Sequence, residues 1–252
     1  MNPAIENELK SHPHPLLFVT VSGAHLYGFE SHDSDWDLRG AHVASMQDVL
    51  SLKPGPETYE RMGENGGVEI DFVTHDARKF FIMLLKCNGY ALEQVFSPLV
   101  AAATPEFEEL RDIASRCICR QHRHHFFHFG VDQWKLTTGK SEPTVKGLLY
   151  TYRPLMAGIH LMRAGRVESN LRRLNEDFRI PEVDALIDRK LAGDEKGTID
   201  AAEAARHQPV FDRLCAELDA AREASHLPDQ PAGREALNDL LIRLRLRAGD
   251  TG

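Results

Sequence analysis

The chain has 252 residues, with 30 lysines and arginines against 38 aspartates and glutamates, for a formal net charge of −8. Its 42% hydrophobic and 27% charged residues exclude a chain too polar to bury a core and leave room for one large domain or two modest ones. The acidic balance excludes broad electrostatic capture of a nucleic-acid backbone, although a local basic groove stays open. No apolar run approaches the roughly 18 residues of a bilayer span, so no membrane partner is expected. Cys87, Cys117, Cys119 and Cys215 form no CxxC pair, and the first residues do not read as a secretory leader, so the expected compartment is a reducing cytoplasm.

In chain order, LLFVTVSG (16–23) is a short β-branched and aromatic run ending in glycine, which predicts a buried strand. SDWDLRGAHVAS (34–45) predicts a second strand. Its period of two sets Asp35, Asp37 and Arg39 on one face, with Trp36 and Leu38 on the core side. Asp33 reads as a solvated turn residue on the approach to that strand. The Pro- and Gly-rich stretch SLKPGPETYERMGENGG (51–67) reads as a loop. VEIDFVT (68–74) predicts a third strand with Glu69, Asp71 and Val73 on one face.

From Asp76 the period becomes helical. DARKFFIMLLKC (76–87) is amphipathic, and TPEFEELRDIASR (104–116) offers Thr104 as N-cap with Pro105 at the first helical position. The segments 143–165, 180–193, 199–224 and 233–249 carry apolar residues at three-and-four spacing, and Pro154 is expected to kink or divide the first of them. The basic end RLRLRAG reads as a helix face that complements its C-terminal dipole. The expected fold class is α+β, an α+β part (1–115) followed by a helical part (116–252).

Three carboxylates, Asp35, Asp37 and Asp71, converge if the third strand lies beside the second. Unpaired, they would raise one another's pKa, whereas divalent cations keep them ionised. Carboxylate oxygens suit Mg²⁺ or Mn²⁺, which fill their remaining positions with phosphate and water oxygens, and two ions about 4 Å apart would serve an attacking hydroxyl and a leaving group. Gly23 and Gly28 allow main-chain N–H groups to approach phosphate oxygens. A lone DxD is most simply a solvated acidic turn. The glycine turn upstream and the second carboxylate strand downstream reverse that weighting.

SGAHLYGFESHDSDWDLRG (22–40), ALEQVFSP (91–98) and KGLLYTYRPL (146–155) resemble the DNA polymerase β-type nucleotidyltransferase superfamily. More narrowly, they resemble the YcgL-like predicted nucleotidyltransferases associated with RNA-repair ligases. The resemblance covers about residues 16–165. It implies a polymerase β-like mixed sheet with packed helices, a nucleotidyltransferase catalytic domain over 1–115, and a helical domain over 116–252 that contributes to nucleotide and acceptor binding. It makes Asp35 and Asp37 paired metal ligands for two Mg²⁺ or Mn²⁺ ions, and Asp71 the third carboxylate, as base or metal-bridging group. Glu69 is left as a rim charge. Ser22, Gly23, Ala24, Ser34 and Arg39 fall on the nucleotide side. Ala24 stands where the superfamily often has a serine that contacts the triphosphate, and Arg39 is suited either to a phosphate or to a carboxylate. Lys146, Tyr150 and Arg153 recur at i, i+4 and i+7. Spacing alone makes them an exposed amphipathic face, whereas the resemblance makes them cations near the triphosphate and an aromatic for the base or ribose.

CICRQHRHHFFHFG (117–130) sets His124 and His128 one turn apart near Cys117 and Cys119, but a second ligand pair at zinc spacing is absent, so packing or contact with an acceptor strand is the expectation. The implied activity is transfer of an NMP from an NTP, ATP among them, to a hydroxyl acceptor with release of pyrophosphate. RNA 3′ ends are the first acceptor, ahead of a protein or small molecule. The alternatives are a catalytically silent nucleotide-binding regulatory module, for which Ala24 speaks, and NMP transfer to a protein as in toxin–antitoxin pairs.

Overall fold

The structure, a computed structural model, describes residues 2–32, 34–193 and 197–249. Asp33 lies outside the described residues. The chain forms two compact units. The first comprises Met1–Gly23, Asp35–Cys117 and Pro231–Gly252, and the second comprises Ala24–Ser34 and Ile118–Gln230.

The first unit is built on a five-stranded mixed sheet of β1 (Leu16–Val21), β2 (Trp36–His42), β3 (Thr58–Asn65), β4 (Val68–Asp76) and β5 (Val100–Ala103), in the order β3-β4-β2-β1-β5. β1 pairs antiparallel with β2 and β5, β3 antiparallel with β4, and β2 parallel with β4. The α+β class is as expected, but β3 corrects the expected loop over 51–67. Its sequence TYERMGEN is mostly exposed, as befits an edge strand whose charges deter pairing with another chain, and so it lacks the apolar alternation that marks a strand. It is joined to β4 by Gly66 and Gly67, whose φ values of 60° and 80° suit a two-residue turn with both centres left-handed. The four-residue β5, exposed at both ends, was not anticipated either.

Alternation along the strands divides the sheet faces. Val19, Val21, Leu38, Ile70 and Phe72 form one apolar layer, covered by Ala4 and Ile5 of the helix Pro3–Lys10, with Trp36 at its margin as a largely apolar contact. On the other face Phe18 packs edge-on to Phe80 (ring centroids 5.2 Å apart) and stacks on Phe107 (4.5 Å), which docks the helices Ala77–Leu85 and Glu106–Cys117. Burying side chains of this size contributes roughly 2–3 kcal/mol each. Asp37, Arg39 and Asp71 project from this second face. The last helix, Arg234–Gly249, belongs to the same unit. Its basic end does more than complement a dipole: Arg245 is buried and donates to Asp76 Oδ1 (2.5 Å) and to the Ala44 carbonyl (2.6 Å), Arg243 pairs with Glu109, and Arg247 with Glu106.

The second unit is helical. The helices His122–Thr138 and Val145–Ala164 approach closely at glycines: a Cβ on Gly130 would lie 2.7 Å from Leu155 Cδ2, and one on Gly158 would lie 2.7 Å from Phe126 Cβ. Val145–Ala164 runs through Pro154 as one helix and is not divided. The expected helix over 199–224 is instead two, Ala201–Arg206 and Gln208–Glu223, because Pro209 has no N–H to continue the first and suits the opening turn of the second.

Candidate active site

The site begins where β1 ends. Ser22 N donates to the Asp37 carbonyl (2.8 Å), so the β1–β2 pairing runs one residue past the strand. Gly23 follows with φ 60°, and a Cβ there would overlap Asp37 Oδ2 and lie 2.6 Å from Asp37 Cγ. The glycine is therefore a steric requirement of the carboxylate. The end of β1 is fixed from behind by the segment Ala91–Pro98: Thr20 Oγ1 donates to the Gln94 carbonyl (3.1 Å), and Ser97 Oγ donates to the Val21 carbonyl (3.0 Å). Gln94 and Ser97 are buried. Their supporting role was not read from the sequence, and the signal available was the set of polar residues Glu93, Gln94 and Ser97 among the apolar ones of that segment.

The parallel register of β2 and β4 sets Asp37 directly beside Asp71. Two residues on, Arg39 turns back over both. Its Nη2 donates to Asp37 Oδ1 (2.7 Å) and Asp71 Oδ2 (2.6 Å), while Nη1 donates to the carbonyls of Leu38 (3.0 Å) and Asp71 (2.6 Å). The side chains of Arg39, Asp37 and Asp71 are 21%, 18% and 23% exposed, so these bonds are only partly screened and fall in the range of about 1.5–3 kcal/mol for bonds to charged groups. Of the two roles left open for Arg39, the carboxylate partner is the one it takes here. Its charge is felt further along the face: the His75 imidazole is pushed down to about 4 by burial first, then by Lys79 and Arg39. Asp35 sits one residue ahead of β2, half-buried, and takes no part in the Arg39 bridge. Glu69 is exposed at the start of β4, a rim position.

Two carboxylates from neighbouring strands thus converge on one cation. The donor set is hard oxygen, and the position taken by the guanidinium is one that Mg²⁺ or Mn²⁺ accepts. Asp37 and Asp71 therefore fit a divalent ion.

In the helical unit, Ala24 is buried and its carbonyl accepts from Gly28 N (3.1 Å) and Phe29 N (3.3 Å). Ser34 Oγ accepts from Ser31 N (2.9 Å), and Ser31 Oγ accepts from Nζ of the fully buried Lys190 (3.1 Å). Lys146, Tyr150 and Arg153 lie along one helix but do not share an exposed face. Arg153 is 1% exposed, with its guanidinium 3.8 Å above the Tyr27 ring. Tyr150 packs edge-on to Tyr27 (5.9 Å) and Phe29 (5.8 Å), and Lys146 Nζ lies 6.0 Å from the Tyr150 ring. In the histidine-rich stretch His124 and His128 are exposed, whereas His122 is buried, its Nδ1 3.3 Å from Cys119 N, and burial, followed by His122 and Arg153, pushes His125 down to about 4.

The family model described as RlaP, RNA repair pathway DNA polymerase beta family, matches residues 1–243. The uncharacterized protein MJ0002 of Methanocaldococcus jannaschii is 28% identical over 218 residues, spanning 86% of this chain and 88% of that protein. Among solved structures, a nucleotidyltransferase-like protein from Exiguobacterium sibiricum 255-15 is a loose likeness at 13% identity and a TM-score of 0.34, covering 98% of this chain and 75% of that one. No helix among the described residues is long and apolar enough to cross a membrane. With all but the last few residues matched, the chain belongs to the RNA repair pathway DNA polymerase beta family, and a general nucleotidyltransferase role goes with that membership.

Proposed function

We propose that the chain transfers an NMP from an NTP, ATP among them, to a hydroxyl acceptor with release of pyrophosphate, using Mg²⁺ or Mn²⁺, and that the acceptor is an RNA 3′ end. One observation carries this reading: Asp37 and Asp71, in register on parallel strands, converge on a single cation. Bound divalent ions would offset charge on the triphosphate and lower the pKa of the acceptor hydroxyl. The chain's part is positioning and electrostatics. Asp35, Asp37 and Asp71 would hold the ions, and Asp71 would also receive or direct the acceptor proton. Gly23 offers its main-chain N–H to phosphate oxygens, and Ser22, whose own N–H is taken by the Asp37 carbonyl, belongs to the set through its side chain. Ala24 and Ser34 belong to the same proposed nucleotide set, and Lys146, Tyr150 and Arg153 to its helical part. The organisation proposed is a catalytic domain over 1–115 and a contributing helical domain over 116–252.

The test incubates the protein with each labelled NTP, Mg²⁺ or Mn²⁺, and an RNA pool, and follows pyrophosphate and label. Wild type should release pyrophosphate and label RNA, and Asp37→Asn should lose roughly a hundred- to a thousand-fold or more of that rate. Ala24, in place of a hydroxyl-bearing residue, favours a second reading as a silent nucleotide-binding module. Nucleotide binding without pyrophosphate release, with RNA and protein acceptors both present, would establish that reading instead.

A further inference from the structure

We infer that Arg39 is a built-in counter-ion for the carboxylate pair, and that a divalent cation enters only as Arg39 gives up Asp37 Oδ1 and Asp71 Oδ2. The inference rests on the reading that these two carboxylates hold the metal. A single nitrogen, Nη2, reaches both oxygens at 2.7 and 2.6 Å, and the other nitrogen, Nη1, is tied to the Leu38 and Asp71 carbonyls. The guanidinium is thereby held by four hydrogen bonds in the space between the acids. A hard divalent cation needs these oxygens at about 2.0–2.6 Å. It would then sit within a few ångströms of a permanently charged guanidinium, because arginine does not deprotonate. Like charges so close in a partly dehydrated site oppose one another, so the two cations compete for the same oxygens.

The consequence runs in both directions. Without metal, Arg39 holds the two acids adjacent, so the site is assembled before it is loaded. With metal, the arginine is the group displaced, which makes nucleotide-free metal binding weaker than the carboxylates alone would allow. Arg39 is in this sense a positioning residue.

The experiment is a Mn²⁺ titration of nucleotide-free full-length protein, with free Mn²⁺ read by electron paramagnetic resonance and thermal melting recorded with EDTA and with Mn²⁺. Arg39→Met should bind Mn²⁺ roughly ten-fold more tightly than wild type. It should melt lower than wild type in EDTA and recover in Mn²⁺. A purely structural arginine would lower Mn²⁺ affinity when removed, so the sign of the change separates the two roles. Equal or weaker Mn²⁺ binding by Arg39→Met, with binding lost in Asp37→Asn, would overturn the competition and leave the metal reading standing. Wild-type Mn²⁺ binding by Asp37→Asn would overturn the metal reading itself. Should Arg39→Met not fold even with Mn²⁺, Arg39→Gln, which keeps one amide donor and loses the charge, carries the same expectation of tighter binding and is overturned by the same result.

Discussion

At the scale of single residues, the acids and the arginine were legible because strand parity assigns faces: Asp37, Arg39 and Asp71 share one, as the alternation predicts. What parity does not give is distance across strands, and so it did not reveal that one nitrogen of Arg39 spans both carboxylates. Gly23 was legible as a special position, but for a different reason. The sequence suggests backbone approach to phosphate, whereas in the fold a carboxylate lies where the Cβ would be. Gly23→Ala must therefore push Asp37 aside and hold an L-residue at φ 60°, a strain of about 1–2 kcal/mol. Displacement of a reacting group by about 1 Å costs roughly 10²-fold in rate. The expected outcome is a loss of pyrophosphate release of that order with a melting temperature lower by only a few degrees. Unaltered release would show that Asp37 has room to move without consequence.

At the scale of elements, β1, β2 and β4 were found from sequence, whereas β3, β5 and the helix Pro3–Lys10 were not. β3 was missed because an edge strand exposed along most of its length has no apolar stripe to read, and β5 because four residues are too few to show a period. The signal for β3 lay in its turn. Two adjacent glycines before VEIDFVT match a hairpin in which both central residues are left-handed. Replacing Gly67 by valine puts a β-branched side chain at φ 80°, which such residues almost never adopt. Hydrogen exchange should then quicken for the amides that β3 contributes to the β3–β4 ladder. The β2–β4 amides around Asp37 and Asp71 should keep their protection, since that pairing has its own parallel register. Equal loss in both ladders would mean that the hairpin and the carboxylate register open as one unit.

At the scale of the whole molecule, local pattern predicts that residues 233–249 form a helix but not which unit they join. That is decided by a contact across 169 positions of sequence, Arg245 to Asp76, and by the burial of Leu237, Leu240 and Leu244. Asp76 is buried, which alone would raise its pKa. The Arg245 hydrogen bond, with N–H groups of Ala44 and Arg78, outweighs burial and holds the carboxyl below the usual range. A depressed carboxyl contributes stability above its unfolded pKa, near 3.8, and loses it as the pH falls through the folded value. Arg245→Met leaves Asp76 buried without its cation, a change that typically costs about 3–5 kcal/mol near neutrality. In the variant, burial is less opposed and the folded carboxyl takes up a proton more readily, so part of the loss is recovered in acid. His75, pushed down to about 4 chiefly by burial, destabilises both proteins alike as the pH falls from 6.5, whereas His42, pushed down to about 4 by burial first and lowered further by Arg245, takes up its proton more readily in the variant, which adds to the convergence in acid. Melting curves of wild type and Arg245→Met should therefore lie well apart at pH 7 and draw together toward pH 4. A separation that does not change with pH would mean that Arg245 holds the last helix by packing alone, with no electrostatic hold on Asp76.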